Sequence, residues 1–525
     1  MRFKILTLLF FVISFCQAQV KYLNRYETER KMNAENYVLI PNSEFGVLLV
    51  TPRSTIVSGN KLVDLVFLNN DLESAWEYEL YIDKRFDLIG YYAKGRVSYL
   101  LFQNQSNNLF TKVVKVNPLS NSIVEYEPKS IVNLEITEFE VIQNTAILGG
   151  YVERLPAVFA YDMENDKVKT LSNVYQKNSE LIEVKVNSDS VTFNVLASVL
   201  TPQRDRTVLV NSYDYVGNAL RDYELQIPKD HQLLTAVSSS IINKEQLITG
   251  LYAVKTGSYP SGIFVNHVDK MGVQNMTFYN FGQFETFLNH TGKRADKLKE
   301  KALKAVRENK DWRFKIDGIF KELIEKDGEF VFTGEFYRPW TMSTNNYQRA
   351  RDRMMSFNEE DNIARQTIYS NSQFPRRNNE PLTNNILELK YSHSFAFGLD
   401  LEGNLLWDGS LKIDETIDTS LSFLGDFIHN EHNTYYAYYH NKLLTVSHLN
   451  VKSDTAQYQE SLTLPEFGDK LFYEKEDFKS LTWWHGNKFL VQGIQHIKND
   501  DLRKVYFINA VQVDPDFSTT ETVDK

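Results

Sequence analysis

Cysteine is all but missing. The chain of 525 residues carries one, Cys16. It falls within an N-terminal stretch that reads as a removable leader, so the remaining chain is expected to hold no disulfide and no thiolate metal site. Long apolar runs are missing too. Past Phe15 no stretch reaches the about 18 apolar residues that a membrane-spanning helix needs, so no transmembrane segment is expected. Positive charge does not prevail: the net charge is −10, which gives no whole-chain case for nucleic acid. There is no glycine-rich phosphate loop, and Gly149-Gly150 lies within a strand pattern. No serine stands in the strand-elbow-helix setting of a hydrolase. Tryptophan is scarce, six residues, whereas Phe (34) and Tyr (29) are abundant, and both favour strands.

The leader reads from Met1 to Ala18. Arg2 and Lys4 give the positive start, Ile5 to Phe15 the apolar run, and Cys16-Gln17-Ala18 a cleavage site with small residues at −3 and −1. Residues 1–18 are therefore expected to be a signal peptide, and 19–525 the mature chain. The alternative is a lipid on Cys16, although Phe15 is bulky where lipoprotein signals take a small residue. The expected address is exported: periplasm, outer surface or medium.

What is present is a repeat. Ser394 to Ile413, SFAFGLDLEGNLLWDGSLKI, reads as strand, tight turn and strand, with Phe395, Phe397 and Leu399 at period two. Units of this kind begin near Leu62, Leu109, Pro156, Thr207, Ser261, Ser394, Lys442 and Val505. A further strand-rich segment precedes each unit, as at Asn144-TAILGGYV and Asn433-TYYAYYH, and a short apolar run precedes that. Four antiparallel strands in a period of about 50 residues make a propeller blade. The fold class is thus all-β, an eight-bladed β-propeller, with seven blades as the alternative. A strand near Val20 to Leu23 pairing into the last blade would help close the ring.

Spacing between units is 47 to 63 residues except for one step of 133, which needs insertions. A helical insertion is expected at 285–312, with Leu298, Ala302 and Ala305 on one face and Asn289 or Thr291 as cap. A long loop is expected at 339–390, within a blade.

The mature chain resembles bacterial secreted β-propeller repeat proteins, and the leader ending in Ala-Gln resembles those of exported Bacteroidota proteins. GLDLEGNLLW, with Asp400, Gly403 and Trp407, is similar to blades of the pyrroloquinoline quinone type. Docking tryptophans stand only at Trp76 and Trp407, so the resemblance implies architecture and no cofactor.

His429-Asn430-Glu431-His432 and the acidic turns at Asp71-Leu72-Glu73 and Asp514-Pro515-Asp516 lack metal-site spacing, so no metal is expected. TYYAYYH and Trp483-Trp484 read as buried strand before sugar platform. The b-to-c and d-to-a connections of antiparallel blades share one face. Cations gather on that face: Arg53, Arg154, Arg204, Arg206 and Lys255 from the loops, with Lys293, Arg294, Lys297, Lys301 and Lys304 from the helical insertion. The c-to-d turns opposite are mostly acidic, at Asp71, Glu164, Asp166, Asp214 and Asp269 among others. The expectation is a non-enzymatic scaffold whose basic face holds an acidic protein or anionic glycan. The alternative is a propeller enzyme acting on an extracellular polysaccharide.

Overall fold

A computed structural model describes residues 20–514 except 32, 105, 130–132, 201–205, 255–258, 309, 311, 313, 322, 327, 341–387, 414–415, 419–422, 431–432, 451–456, 463–468, 476–479 and 500. The strands form eight small antiparallel sheets in chain order, an eight-bladed β-propeller. Strands are lettered a to d from the hub outward. Blade 1 is Val38–Pro41, Val47–Val57, Asn60–Leu68 and Ser74–Asp83. Blade 2 runs from Phe86–Lys94 to Ser122–Tyr126, and blade 3 from Glu135–Ile142 to Lys167–Thr170. Blade 4 runs from Ser179–Val186 to Ala219–Glu224, and blade 5 from His231–Leu233 to Gln274–Asn280. Blade 6 has Asp317–Phe320 and Ile324–Lys326 as its split strand a, then Glu329–Trp340, Glu388–Leu399 and Leu405–Lys412. Blade 7 runs from Gly425–Asn430 to Gln457–Ser461.

The last blade corrects the repeat. Its strands b and c are Lys488–Lys498 and Leu502–Val513, but its outer strand is Val20–Glu29. The two pair antiparallel from Val20 with Val513 to Glu29 with Val505, a longer seam than Val20 to Leu23 alone. The first and last described strands thus complete one sheet.

Strands b and c are sandwiched between neighbouring blades, which explains why they are apolar on both faces. Phe395, Phe397 and Leu399 pack towards blade 5, whereas Ala396 on the other face packs towards blade 7. The alternation at Ser394 to Ile413 therefore reports which neighbour a side chain meets. TYYAYYH is strand b of blade 7, and Tyr435, Tyr436 and Tyr439 are buried.

Three of the c-to-d turns share one chemistry. Asp214, Asp269 and Asp400 each accept two backbone N–H groups of their own turn through Oδ1, at 2.8 to 3.1 Å. A glycine three residues on takes φ of +80°, +83° or +85°, which a residue with a Cβ adopts at a cost.

Between blades 5 and 6 the chain inserts a helix. Asn280 and Gln283 open the segment with a reciprocal capping box. A 3-10 turn, Asn289–Arg294, then leads into the helix Ala295–Arg307. The cap expected from Asn289 or Thr291 is not formed. Arg294 is the N-cap residue and gives no side-chain bond, while the Thr291 hydroxyl turns back to the Leu288 carbonyl at 2.7 Å. Tertiary packing holds the helix instead: Ala302 is fully buried, and Leu298 and Ala305 rest on the same core. The fit is close enough that a Cβ on Gly282 would lie 2.5 Å from that of Ala302.

Strands b and c of blade 6 reach Trp340 and Glu388, which are register partners. The loop expected at 339–390 is shorter at both ends, and residues 341–387 lie outside the described residues. No helix of the described residues is long and apolar enough to cross a membrane.

Candidate functional site

The expected cationic face is assembled only in part. Arg53 is not in a loop but in strand b of blade 1. Its guanidinium meets Asp64 on strand c, Nη2 to Oδ1 at 2.5 Å, and Lys31 reaches the same carboxylate at 2.7 Å. That arginine is spent on pinning its own hairpin. Arg154 is the second residue of a two-residue b-to-c turn, exposed, with φ of +70° after Glu153 at +48°. Arg206 opens strand c of blade 4, whereas Arg204 and Lys255 lie outside the described residues.

The insertion carries the face better. Lys293, Arg294, Lys297, Lys301, Lys304 and Arg307 are all exposed. Among the described residues, the ion pair these cations form is that of Lys304 with Glu308, at 3.8 Å. Lys297, Lys301 and Lys304 follow i, i+4, i+7 spacing and so form a stripe. The apolar stripe of Leu298, Ala302 and Ala305 is committed to the propeller, which fixes the cations outward.

The acidic far face has a local cause. Asp214 and Asp269 build their own turns, so part of the charge contrast read from the sequence reflects turn chemistry.

A second cluster lies at the hub. Strand a of blades 2, 3 and 4 breaks register at the same place, between Leu88 and Gly90, Ile136 and Glu138, and Leu181 and Glu183. Such bulges re-aim the side chains that follow. Glu138 and Glu183 follow directly, and both are buried. Glu183 accepts from the Ser238 N–H at 3.0 Å and its hydroxyl at 2.5 Å, in blade 5. Lys185, two residues on, reaches past blade 5. Its Nζ donates to the carbonyls of Ser238 (3.0 Å) and Leu323 (3.2 Å) and to Glu325 Oε1 (3.2 Å) of blade 6. Lys321 of blade 6 pairs with Asp426 of blade 7, and Asp426 in turn accepts the Trp483 N–H of blade 8 at 2.9 Å.

Burial, then the neighbouring Glu140 and Glu183, pushes the Glu138 carboxyl well above the usual carboxylate range. Burial thus favours the neutral form of Glu138, within electrostatic reach of the hydrogen-bonded Glu183, an arrangement able to supply a general acid and a base. The reading from sequence passed over these residues. Their signal was the charged residues within otherwise apolar inner strands, EITEFEVI and SELIEVKV.

His429 is buried at the end of strand a of blade 7, with Nδ1 2.9 Å from Thr434 Oγ1. Among the described residues no three His, Cys, Asp or Glu side chains gather as a metal site.

No known family matches the chain, and no curated protein matches it. Among solved structures it is similar to the polysaccharide lyase Uly1, at 9% identity and TM-score 0.37, over 92% of this chain and 100% of that one. It is also similar to a prolyl endopeptidase structure (9%, TM-score 0.38, 90% of this chain and 54% of that one). A third is Porphyromonas gingivalis dipeptidyl peptidase 4 (8%, TM-score 0.39, 92% and 60%). The chain spans little more than half of these two peptidases. Likenesses at this level say nothing of chemistry.

Proposed function

We propose that this propeller is an exported, non-enzymatic binding scaffold that holds an acidic partner, protein or anionic glycan, on the helix of its insertion. The observation that carries the reading is the outward set of Lys293 and Arg294 in the 3-10 turn and Lys297, Lys301 and Lys304 on the helix that follows, whose apolar stripe is sealed into the core. A cationic patch on a chain of net charge −10 orients encounter with an anion and raises the association rate. Residues 1–18 as a signal peptide would supply the exported address. The test is binding of a sulfated polysaccharide and of a polyglutamate peptide by biolayer interferometry across salt. Affinity should fall as salt rises and be lost in Lys297→Glu/Lys301→Glu. Salt-independent binding, or none to either probe, sinks the reading.

The second reading is a propeller enzyme acting on an extracellular polysaccharide at the hub. The Glu138 and Glu183 pair favours it. Turnover of a polysaccharide panel that is lost in Glu138→Gln and Glu183→Gln, yet survives the two helix reversals, would decide for it.

A further inference from the structure

The seam between the insertion and blade 6 contains two histidines that neither reading uses. His290, in the 3-10 turn, and His393, in strand c of blade 6, stack with ring centroids 4.0 Å apart and planes within 5°. Their tautomers follow from their partners. His290 Nδ1 lies 2.9 Å from the Phe287 carbonyl, which can only accept, so that nitrogen carries the proton. The Ser392 hydroxyl donates to the Phe336 carbonyl at 3.0 Å, so its oxygen accepts from His393 Nδ1 at 2.9 Å. These partners and burial favour the neutral rings, protonated at Nδ1. Both Nε2 atoms are buried and have no hydrogen-bond partner among the described residues.

Their surroundings are apolar and cationic. Phe287 meets His393 edge-on at 4.8 Å, Phe336 stacks on His393 at 4.9 Å, and Phe314 meets His290 edge-on at 5.6 Å. Arg338 on strand b acts on both rings and Lys412 on strand d acts on His290. Lys412 is the register partner of His393, and Lys390 that of Arg338. The carboxylate on the adjoining strand, Asp408, is taken up by the amides of Glu285 and Thr286. A proton arriving on either Nε2 would therefore sit among aromatic rings, beside the other imidazole and two cations, with no anion among the described residues to receive it.

The geometry points to an acid-sensitive latch: protonation of the stacked pair unseats residues 281–316, and with them the basic helix, from blade 6 while the ring stays closed. The ring survives because the insertion contributes no blade strand. Burial lowers His290 to about 4, with Arg338 and Lys412 adding to it against the Phe287 carbonyl. Burial, His290 and Arg338 hold His393 well below the ordinary value. A folded value below the unfolded one of about 6.5 means that the seam is at full strength above that pH. It weakens as pH falls from there through 4, with up to two protons taken up. The latch does not depend on what the helix binds.

The test is hydrogen exchange of the full chain, read by mass spectrometry from pH 7 to 4 and corrected for intrinsic rates. Peptides from 281–316 should lose protection at least tenfold within that window, while strands b and c of blades 1 to 4 keep theirs. His290→Phe/His393→Phe, which keeps the stack and removes the lone pairs, should hold the insertion shut at pH 4. An insertion still protected at pH 4 in the wild type overturns the latch. So does opening of the ring at the same pH, or a double variant that opens like the wild type. Should that variant fail to fold, histidine titration by NMR in the wild type decides: two seam histidines with ordinary values overturn it.

Discussion

Asp408 Oδ2 receives both the backbone N–H and the hydroxyl of Thr286, each at 2.7 Å. Its Oδ1 takes the Glu285 N–H at 2.8 Å. One carboxylate on the outer strand of blade 6 thus anchors the start of the insertion. Asp408→Ala should cost the seam roughly 1 to 3 kcal/mol, because the N–H groups are left without their acceptor. Hydrogen exchange should speed at 285–290 while the melting temperature of the ring moves little. Asp408→Asn, which keeps one acceptor oxygen, should fall between.

The cations of the loop face should separate by role. Arg53→Glu sets a second carboxylate beside Asp64, whose side chain is 9% exposed. Breaking such a pair is expected to cost about 3 to 5 kcal/mol, read as a lower urea midpoint. Lys297→Glu/Lys301→Glu changes exposed side chains, so stability should stay within about 0.5 kcal/mol while polyanion binding is lost. The reverse pattern would place the working surface elsewhere.

Glu335 predicts an alkaline loss of stability. It is fully buried and accepts from the N–H groups of Leu424 (2.8 Å) and Gly425 (2.9 Å) and from the Tyr436 hydroxyl (2.8 Å). Burial, against those three bonds, raises its carboxyl to about 7. A carboxyl with a raised folded value binds its proton more tightly when folded. Its contribution is present in full below the unfolded value, about 4.5, and is lost as pH rises through 7. The loss is on the order of 3 kcal/mol. Urea midpoints should fall from pH 5 to 8, and Glu335→Gln should remove most of that slope from a lower starting stability. The seam histidines act with the opposite sign at lower pH, so the difference between wild type and variant is the quantity to measure.

Removing residues 20–29 should open the ring. It strips the outer strand from blade 8 and bares the edge of Leu502–Val513. Melting should occur at lower temperature, with concentration-dependent light scattering. An unchanged melting curve would show that the seam is dispensable.

Joining Trp340 to Glu388 by a short Asn-Gly turn should leave the ring intact. The two are register partners, so all four strands of blade 6 remain. Shortening the connection about twentyfold changes closure entropy by roughly 3 kcal/mol, in the favourable direction. Loss of a cooperative transition would mean that 341–387 contributes to the blade.

The blades were legible because their period is carried by residues with local duties. Asp400 and Gly403 make a turn by themselves, and Phe395, Phe397 and Leu399 alternate whatever surrounds them. Helix Ala295–Arg307 was legible from its apolar stripe, but not its start, since the 3-10 turn before it has no fixed residue signature. Arg53 was misplaced because a charge pattern cannot show a cross-strand partner such as Asp64. The pairing of Glu138 with Glu183 and the stack of His290 on His393 join residues 45 and 103 positions apart. Only the closed ring and the docked insertion bring them together.

The shared eighth blade also sets the order of assembly. Among the described residues Val20–Glu29 is the first strand and Leu502–Val513 the last, so their pairing closes the longest loop between described strands. Seven blades can form from near neighbours in sequence, but until that last contact the molecule is an open arc with two unpaired edges. Those edges are complementary to each other and equally to the edges of a second copy. Refolding yield should therefore fall with protein concentration, through head-to-tail joining of arcs, at a stage when every other blade is already built.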